Sequence, residues 1–509
     1  MARELYPYQV EAINQISSEL NSYKKNTNVL FQLPTGGGKT VIFSEIAKNY
    51  IKEHKKKVLI LTHRIELCRQ TSSVLDSIDV ENKVITADVK YLMDSDDHIM
   101  CYTAMVETLH NRLVEDNCFI SDVGLVVVDE AHYNSFRKIF KYFADVNILG
   151  VTATPLSSNR NLPLKDNYDH LVVGNSISGL IKEGFLSEGT TFTFDVNLKG
   201  LKVGIHGDYT VASIEHLYSN TLMQSKLLHA YQEVGNNKKT LIFNAGIVTS
   251  RSVEQLFNKA GYKIKHLDST FSKQERNEIL QWFHETPDAI LTSVGILTTG
   301  FDEPSVENII LNRATRSLTL YHQMIGRGSR IYGDVKKFAI IDLGNNARRL
   351  GYWDDSISWH EIFLDPDKYL DKQLQIEKGL EEMEFEYEMP PEIRERFPHL
   401  VAEKPFLIKN KFKEYQESGQ KTKMIIDEAI DHHFELVNKN CADKYDALEL
   451  ATLLHEEIEH RMKQYSKCVN GTDNYANWLI DEYNRRLNRM IVTQIAAPEE
   501  EEEEEEVEG

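Results

Sequence analysis

Leu33-Pro34-Thr35-Gly36-Gly37-Gly38-Lys39-Thr40 is the stretch that decides how this chain is read. It follows an apolar run, Asn28 to Leu33, and opens a helix-forming segment from Val41 onward, so it occupies a strand-to-helix corner. Successive glycines let the backbone turn tightly enough for its N–H groups to converge at a helix N-terminus, which makes a phosphate cradle. Lys39 then supplies positive charge for β and γ oxygens, and the Thr40 hydroxyl a ligand for Mg²⁺. Thr35, Gly36, Gly37 and Gly38 complete the candidate nucleotide loop. The general pattern for such loops begins on glycine, and Leu33 stands in that place here.

Outward from this corner, short β-branched runs alternate with longer helical patterns up to about Tyr352, the rhythm of a parallel sheet wrapped by helices. Asn28 to Leu33, Lys57 to Thr62, His98 to Tyr102, Leu125 to Asp129 and Asn147 to Thr152 are apolar on both parities, as strands covered on both faces should be. A second set repeats the pattern at Lys239 to Phe243, Lys263 to Leu267, Ala289 to Thr292, Asn308 to Leu311 and Phe338 to Asp342. Amphipathic helices are expected between them at Ser250 to Ala260 and Lys273 to His284. The fold class is therefore α/β: two tandem parallel-sheet lobes, a mainly helical C-terminal region, and a disordered acidic tail. The lobe boundary is placed near Val172, which gives residues 1–172, 173–358, 359–497 and 498–509 as the four parts.

Composition narrows the class. No apolar run approaches the roughly 20 residues that a membrane-spanning helix needs, and the N-terminus goes straight into charged sequence, so a soluble, cytoplasmic or nucleoid-associated protein is expected. Five widely spaced cysteines without a C-x-x-C pair argue against a disulfide framework or a zinc ribbon. Net charge is −20, and nine glutamates follow Pro498, so the rest of the chain is still −11. Any polyanionic partner must then be met in a local groove and not by a global positive field. His455 and His460 are five apart and His432 and His433 adjacent, spacings that scatter them around a helix, so a solvated acidic face or a structural role is the better account than a metal site.

Asp129-Glu130-Ala131-His132 ends the strand Leu125 to Asp129. In an open α/β sheet, strand ends at the carboxyl edge share one ligand crevice, so these acids are expected beside Lys39 although ninety residues separate them in sequence. Asp129 would hold Mg²⁺ through its water shell, and Glu130 would orient and deprotonate the attacking water. Arg327 and Arg330, three apart on one helical face, come from the second lobe. A guanidinium delivered from another lobe stabilises a transferring phosphoryl group only when the cleft is closed.

In this order the motifs resemble those of superfamily 2 helicases of the DEAH-box type, within the group that includes the XPB-type and phage UvsW-type DNA helicases and restriction-enzyme motor subunits. The resemblance covers the chain up to about Tyr352 and implies two RecA-like lobes with ATP and Mg²⁺ between them. Leu5-Tyr6-Pro7-Tyr8-Gln9 is similar to the adenine-reading segment, with Gln9 bonding the base. Thr62 to Leu67 is similar to motif Ia, Thr103 to Leu109 to the next strand-gripping motif, and Thr152-Ala153-Thr154-Pro155 to motif III. Gly300-Phe301-Asp302 resembles motif V, which puts Gly300 and Asp302 toward the nucleotide; Gln323 to Arg330 matches motif VI, with Gln323, Arg327 and Arg330 joining Glu130 as the catalytic set. Nucleic-acid backbone contacts are implied at Arg64, Thr103, Thr108, Asn244, Ser269 and Thr270.

The expectation is an ATP-dependent helicase or translocase, acting on DNA in preference to RNA, with a protein partner as a further possibility at the C-terminal helices or the tail. The alternatives are an RNA helicase and an ATP-switched assembly module that binds nucleic acid without unwinding it. A P-loop kinase would leave the second lobe and its two arginines unexplained.

Overall fold

The computed structural model describes residues 4–21, 27–93, 96, 98–205, 207–298, 300–333, 336–382, 393, 396–397 and 406–496. The acidic tail lies outside them. The chain divides into two compact units, Met1–Glu382 and Met383–Gly509.

In the first unit, β1 (Asn28–Gln32), β2 (Lys57–Thr62), β3 (Asn82–Ile85), β4 (Cys101–Met105), β5 (Val123–Asp129), β6 (Asn147–Thr152) and β7 (His170–Val173) form one parallel sheet in the order β3-β4-β2-β5-β6-β1-β7. Parallel neighbours need crossovers, which the helices Lys39–His54, Ile65–Ser77 and Val106–Glu115 supply. β5 shows why its sequence is apolar on both parities: Leu125 and Val127 enter one core, Val126 and Val128 the core on the opposite face.

A second parallel sheet holds β8 (Glu188–Thr193), β9 (Thr240–Asn244), β10 (Ile264–Leu267), β11 (Ile290–Val294), β12 (Asn308–Asn312) and β13 (Lys337–Asp342), in the order β10-β11-β9-β12-β13-β8. The chain passes from one sheet to the other between Val173 and Glu188 through the helix Ile177–Lys182. Two α/β lobes followed by helices are thus the architecture, as the sequence led us to expect.

Three strands escaped the sequence pattern, β3, β7 and β8, and all three are sheet edges. Their side chains are half-exposed or alternate with solvent, so they lack the two-sided apolar signature of the central strands. The strand expected at His98 to Tyr102 runs instead over Cys101–Met105, because its pairing with β2 sets Cys101 opposite Val58. The helices Trp359–Leu364 and Pro366–Glu382, expected to open the C-terminal region, fall within the first unit, where Phe363 is buried in the core of the first lobe.

The second unit is built from the helices Ile408–Ser418, Met424–Asn440, Lys444–Leu453, His455–Cys468 and Asp473–Gln494 around a core that includes Ile430, Leu450, Ile458, Met462 and Leu487. The helix His455–Cys468 is not the wholly solvated face expected, since Glu457 and Arg461 are buried and paired with each other. His433 is also fully buried; its Nδ1 lies 2.8 Å from Tyr483 Oη, and that hydroxyl donates to Ala429 O at 2.5 Å. Burial pushes the His433 imidazole down to about 4, against the pull of Glu457, whose Oε2 lies 3.4 Å from its Nε2. Tyr483→Phe removes the buried hydroxyl that bonds His433 Nδ1 and Ala429 O and should lower stability by about 1–3 kcal/mol, read as a shift in the urea midpoint of the second unit's unfolding.

Candidate nucleotide cleft and nucleic-acid groove

β1 lies between β6 and β7, and the glycine-rich loop leaves its carboxyl end. Gly36 and Gly38 have φ of 94° and 81°, the left-handed region that glycine enters without steric cost. Lys39 Nζ is folded back onto the loop, donating to Leu33 O at 3.1 Å and Pro34 O at 3.3 Å. Burial pushes its pKa down, against the opposing pull of Glu130 and Asp129. Gln9 touches the same loop: its Oε1 accepts from Tyr6 N, and a Cβ on Gly38 would stand 2.6 Å from its Nε2. Tyr8 adds a bond to Gly37 O at 2.9 Å, and Phe185, from the segment between the lobes, packs on the Tyr6 and Tyr8 rings at 4.5 and 4.9 Å. Neither Tyr8 nor Phe185 was singled out as a functional residue in the sequence, since Tyr8 was only part of the motif string and no periodic signal marks Phe185.

The order β5-β6-β1 brings Asp129 and Glu130 to the same sheet edge as the loop. The Asp129 carboxyl is pushed up to about 7 by burial and by the neighbouring Glu130 charge, against the attraction of Lys39. Glu130 sits at a φ of 55°, a conformation that costs a non-glycine residue about 1–3 kcal/mol and is found where function over-determines the backbone. A desolvated carboxylate at this sheet edge and the Thr40 hydroxyl on the loop are both oxygen donors of the kind a divalent cation takes. Glu130 Oε2 lies 3.4 Å from His132 Nδ1, which lies 3.0 Å from Thr152 Oγ1; Thr154 Oγ1 in turn lies 2.6 Å from Thr319 Oγ1. Thr319 begins the helix Leu318–Ile325 of the second lobe, the one that carries Gln323, so the candidate motif III joins the two lobes through a pair of hydroxyls.

Arg330 and its neighbours reach the loop directly. A Cβ on Gly36 would stand 3.1 Å from Ser329 Oγ and 3.4 Å from Arg330 Nη1, and a Cβ on Gly326 would stand 2.6 Å from Thr35 Cβ. Arg330 Nε is 2.9 Å from Asp302 Oδ1, so Asp302 meets this cleft through an ion pair with the guanidinium. Arg327 is buried and donates to Phe301 O at 2.5 Å and Thr298 O at 2.7 Å, which ties these carbonyls to the turn that follows the helix Leu318–Ile325. Burial, with the like charge of Arg330 beside it, pushes Arg327 down to about 10, still charged at neutral pH. Gln323 is buried within the helix Leu318–Ile325, but Arg327 and Arg330 lie beyond its end and not on the one helical face expected, because the helix stops at Gly326.

On another side of the lobe interface, Arg64, Glu66 and Leu67 face Ser269, Arg276, Leu280, Gly300 and Phe301 across a groove of about 470 Å³. Of the expected nucleic-acid residues, Arg64 and Ser269 line it, Thr108 is half-buried on the helix Val106–Glu115, and Thr270 bonds Asp268 through both its N–H and its hydroxyl. Thr103 and Asn244 are corrections: Thr103 is fully buried in β4, and Asn244 is 1 % exposed with its amide committed to Thr292 and Asn312. Polar residues near a strand end look alike in sequence whether they point outward or bond a neighbouring strand. Arg276, 3.7 Å from Glu66 of the other lobe, was missed among the charges of an ordinary amphipathic helix.

Residues 3–157 match the type III restriction enzyme res subunit family, and residues 222–332 the helicase conserved C-terminal domain. Among relatives, IRC3 of Saccharomyces cerevisiae, provisionally named an ATP-dependent helicase, is 32% identical over 66% of this chain and 51% of its own length, so the chain spans about half of that relative. The Type I restriction enzyme EcoAI endonuclease subunit of Escherichia coli is 24% identical over 74% of this chain and 50% of its own. Two solved structures share the fold: a fragment of an HsdR-type subunit of a type I restriction enzyme from Vibrio vulnificus (TM-score 0.53, 22% identity, 72% of this chain and 67% of that one) and the Type ISP restriction-modification enzyme LlaBIII bound to DNA (TM-score 0.53, 14% identity, 96% and 41%). The two models are matched in order on the two lobes, so this chain carries both halves of a helicase core.

Proposed function

We propose that this chain hydrolyses ATP between its two lobes and uses the cycle to move along nucleic acid, DNA in preference to RNA. The observation that carries the proposal is the approach of Arg330, Ser329 and Gly326 of the second lobe to Thr35 and Gly36 of the loop that holds Lys39. A cleft so assembled is complete only when closed, which couples hydrolysis to lobe motion. The DNA preference is supported by the relatives named as restriction-enzyme subunits and by LlaBIII, whose structure holds DNA.

In this proposal Gln9 reads the adenine and Lys39 and the loop amides hold the phosphates. Mg²⁺ held by Thr40 and Asp129 would neutralise the β and γ oxygens. Glu130 takes a proton from a water that attacks the γ-phosphorus; ADP leaves, and Arg327 and Arg330 stabilise the charge that spreads over the transferring group. Loss of that charge lets the lobes part. Grips on the strand from Arg64 in one lobe and Ser269 in the other then change their separation, and because they contact backbone the movement is independent of sequence.

Lys39→Ala should abolish turnover, and Glu130→Gln should bind ATP without hydrolysing it; normal turnover in either removes the assignment. Arg330→Ala should cost a factor on the order of 10³ in kcat with little change in ATP affinity, checked by single-turnover hydrolysis beside equilibrium nucleotide binding. Protons compete with the cation for Asp129, whose pKa is raised, so affinity for Mg²⁺-ATP should fall as pH drops below about 7, and Asp129→Asn should remove that dependence; calorimetric titrations at pH 6 and 8 measure it. The nucleic acid is tested by ATPase stimulation with single-stranded DNA, duplex DNA and RNA. Stimulation by RNA alone would overturn the DNA preference, and none by any of them would leave the assembly-module alternative.

A further inference from the structure

Beneath the Ser269 side of the groove, six polar side chains cross the carboxyl edge of the second sheet from one strand to the next. Asn312 Nδ2, at the end of β12, donates to Asn244 Oδ1, at the end of β9, at 2.7 Å. Asn244 Nδ2 donates to Thr292 Oγ1 of β11 at 2.8 Å. Thr292 Oγ1 lies 2.9 Å from Ser250 Oγ, and Ser250 Oγ lies 2.7 Å from His266 Nδ1 of β10. His266 Nε2 lies 2.8 Å from Asp268 Oδ2, and Asp268 Oδ1 accepts from Thr270 N and Thr270 Oγ1 at 2.7 and 2.5 Å. None of the six is more than 3 % exposed.

Hydrogen-bond chemistry gives this chain a direction. An ionised Asp268 only accepts, so the proton between it and His266 sits on Nε2, and in that tautomer Nδ1 is an acceptor. Ser250 then donates to Nδ1 and accepts from Thr292, which in turn accepts from Asn244. Asn244, Thr292, Ser250 and His266 thus each donate and accept, Asp268 only accepts, and Asn312 donates while its own Oδ1 has no partner among the described residues. Burial works against the Asp268 charge, yet the bonds from Thr270 and His266 hold its pKa below the ordinary value, consistent with the ionised end. Polar groups in a sheet interior otherwise filled by Ile, Leu and Phe cost free energy unless they are bonded, so breaking one link from Asn244 to Asp268 strands its neighbours. Asp268, His266 and Ser250 have the spacing of a hydrolase triad, but Ser250 Oγ is fully buried and bonded on both sides, so no substrate reaches it.

We infer that the Asn312–Asn244–Thr292–Ser250–His266–Asp268 relay is a positioning device, which locks the Ser269-Thr270 turn to the central strands so that the second lobe presents a preformed grip to the nucleic-acid backbone. Its far end is the carboxylate that holds Thr270, and its near end is the strand pair in the middle of the sheet. The inference rests on the groove being the nucleic-acid track.

Thr292→Val removes the central hydroxyl at nearly constant volume, and Thr292→Ser keeps it. With a (dT) oligonucleotide as activator, Val should raise the DNA concentration that half-maximally stimulates ATPase by about tenfold, leave kcat at saturating DNA within twofold, and Ser should restore the wild-type value. Ser250→Ala, at the next link, should repeat the Val result. Hydrogen exchange reads the relay without nucleic acid: amides of residues 268–271 should exchange faster in Val and Ala than in wild type and Ser. Exchange unchanged in Val and Ala, or a DNA requirement as poor in Ser as in Val, would overturn the relay. A wild-type protein that DNA does not stimulate, with the exchange difference present, would leave the relay standing and remove the nucleic-acid track from the proposal.

Discussion

Lys39 is an ammonium group removed from water, and the surrounding charges decide whether it can stay there. Two carboxylates from the end of β5 attract it, while Arg327 and Arg330 of the other lobe repel it. Neither set of neighbours is local in sequence. The balance makes the cleft a place where negative charge is wanted: two guanidiniums and an ammonium converge on a loop that already offers backbone N–H groups, and the opposing acids lie on the side where a cation is held. A polyphosphate with its metal satisfies both halves at once, which is why the nucleotide cleft is the part of the molecule from which the rest of the proposal follows.

Closeness of the lobes then depends on small residues. Gly326 leaves no room for a Cβ against Thr35, and Gly36 has Ser329 and Arg330 against it, so the arginine reaches the loop because glycines face each other's lobes. Thr154 and Thr319 meet at the same interface, and Arg327 binds the carbonyls of Thr298 and Phe301, the latter a residue that lines the groove with Arg64 and Ser269. Cleft and groove are therefore joined by packed elements, so a shift at one is mechanically a shift at the other.

Much of this was readable in the residues themselves. The central strands announce themselves because burial on both faces leaves no polar position, and the loop, the Asp129-Glu130 pair and the Arg327/Arg330 pair are strings whose chemistry does not depend on knowing the fold. The edge strands β3, β7 and β8 were not readable, because a half-exposed strand shares its composition with loops. The nucleic-acid residues were read least well. Thr103 and Asn244 satisfy the same compositional rule as Ser269, and only their burial separates them.

By itself, the sequence determined the two-lobe α/β architecture and the chemical inventory of a nucleotide cleft, since periodicity and the strand-loop-helix corner are local properties of the chain. Tertiary structure alone decided which partner each group takes: that Asp302 pairs with Arg330, that Arg327 anchors the segment beside it, that Phe185 closes on Tyr6 and Tyr8, and that Asn244 belongs to a buried series ending at Asp268. Hydrogen bonds and ion pairs of this kind join residues tens to hundreds of positions apart, and their geometry is set by sheet order and register, which no local pattern encodes.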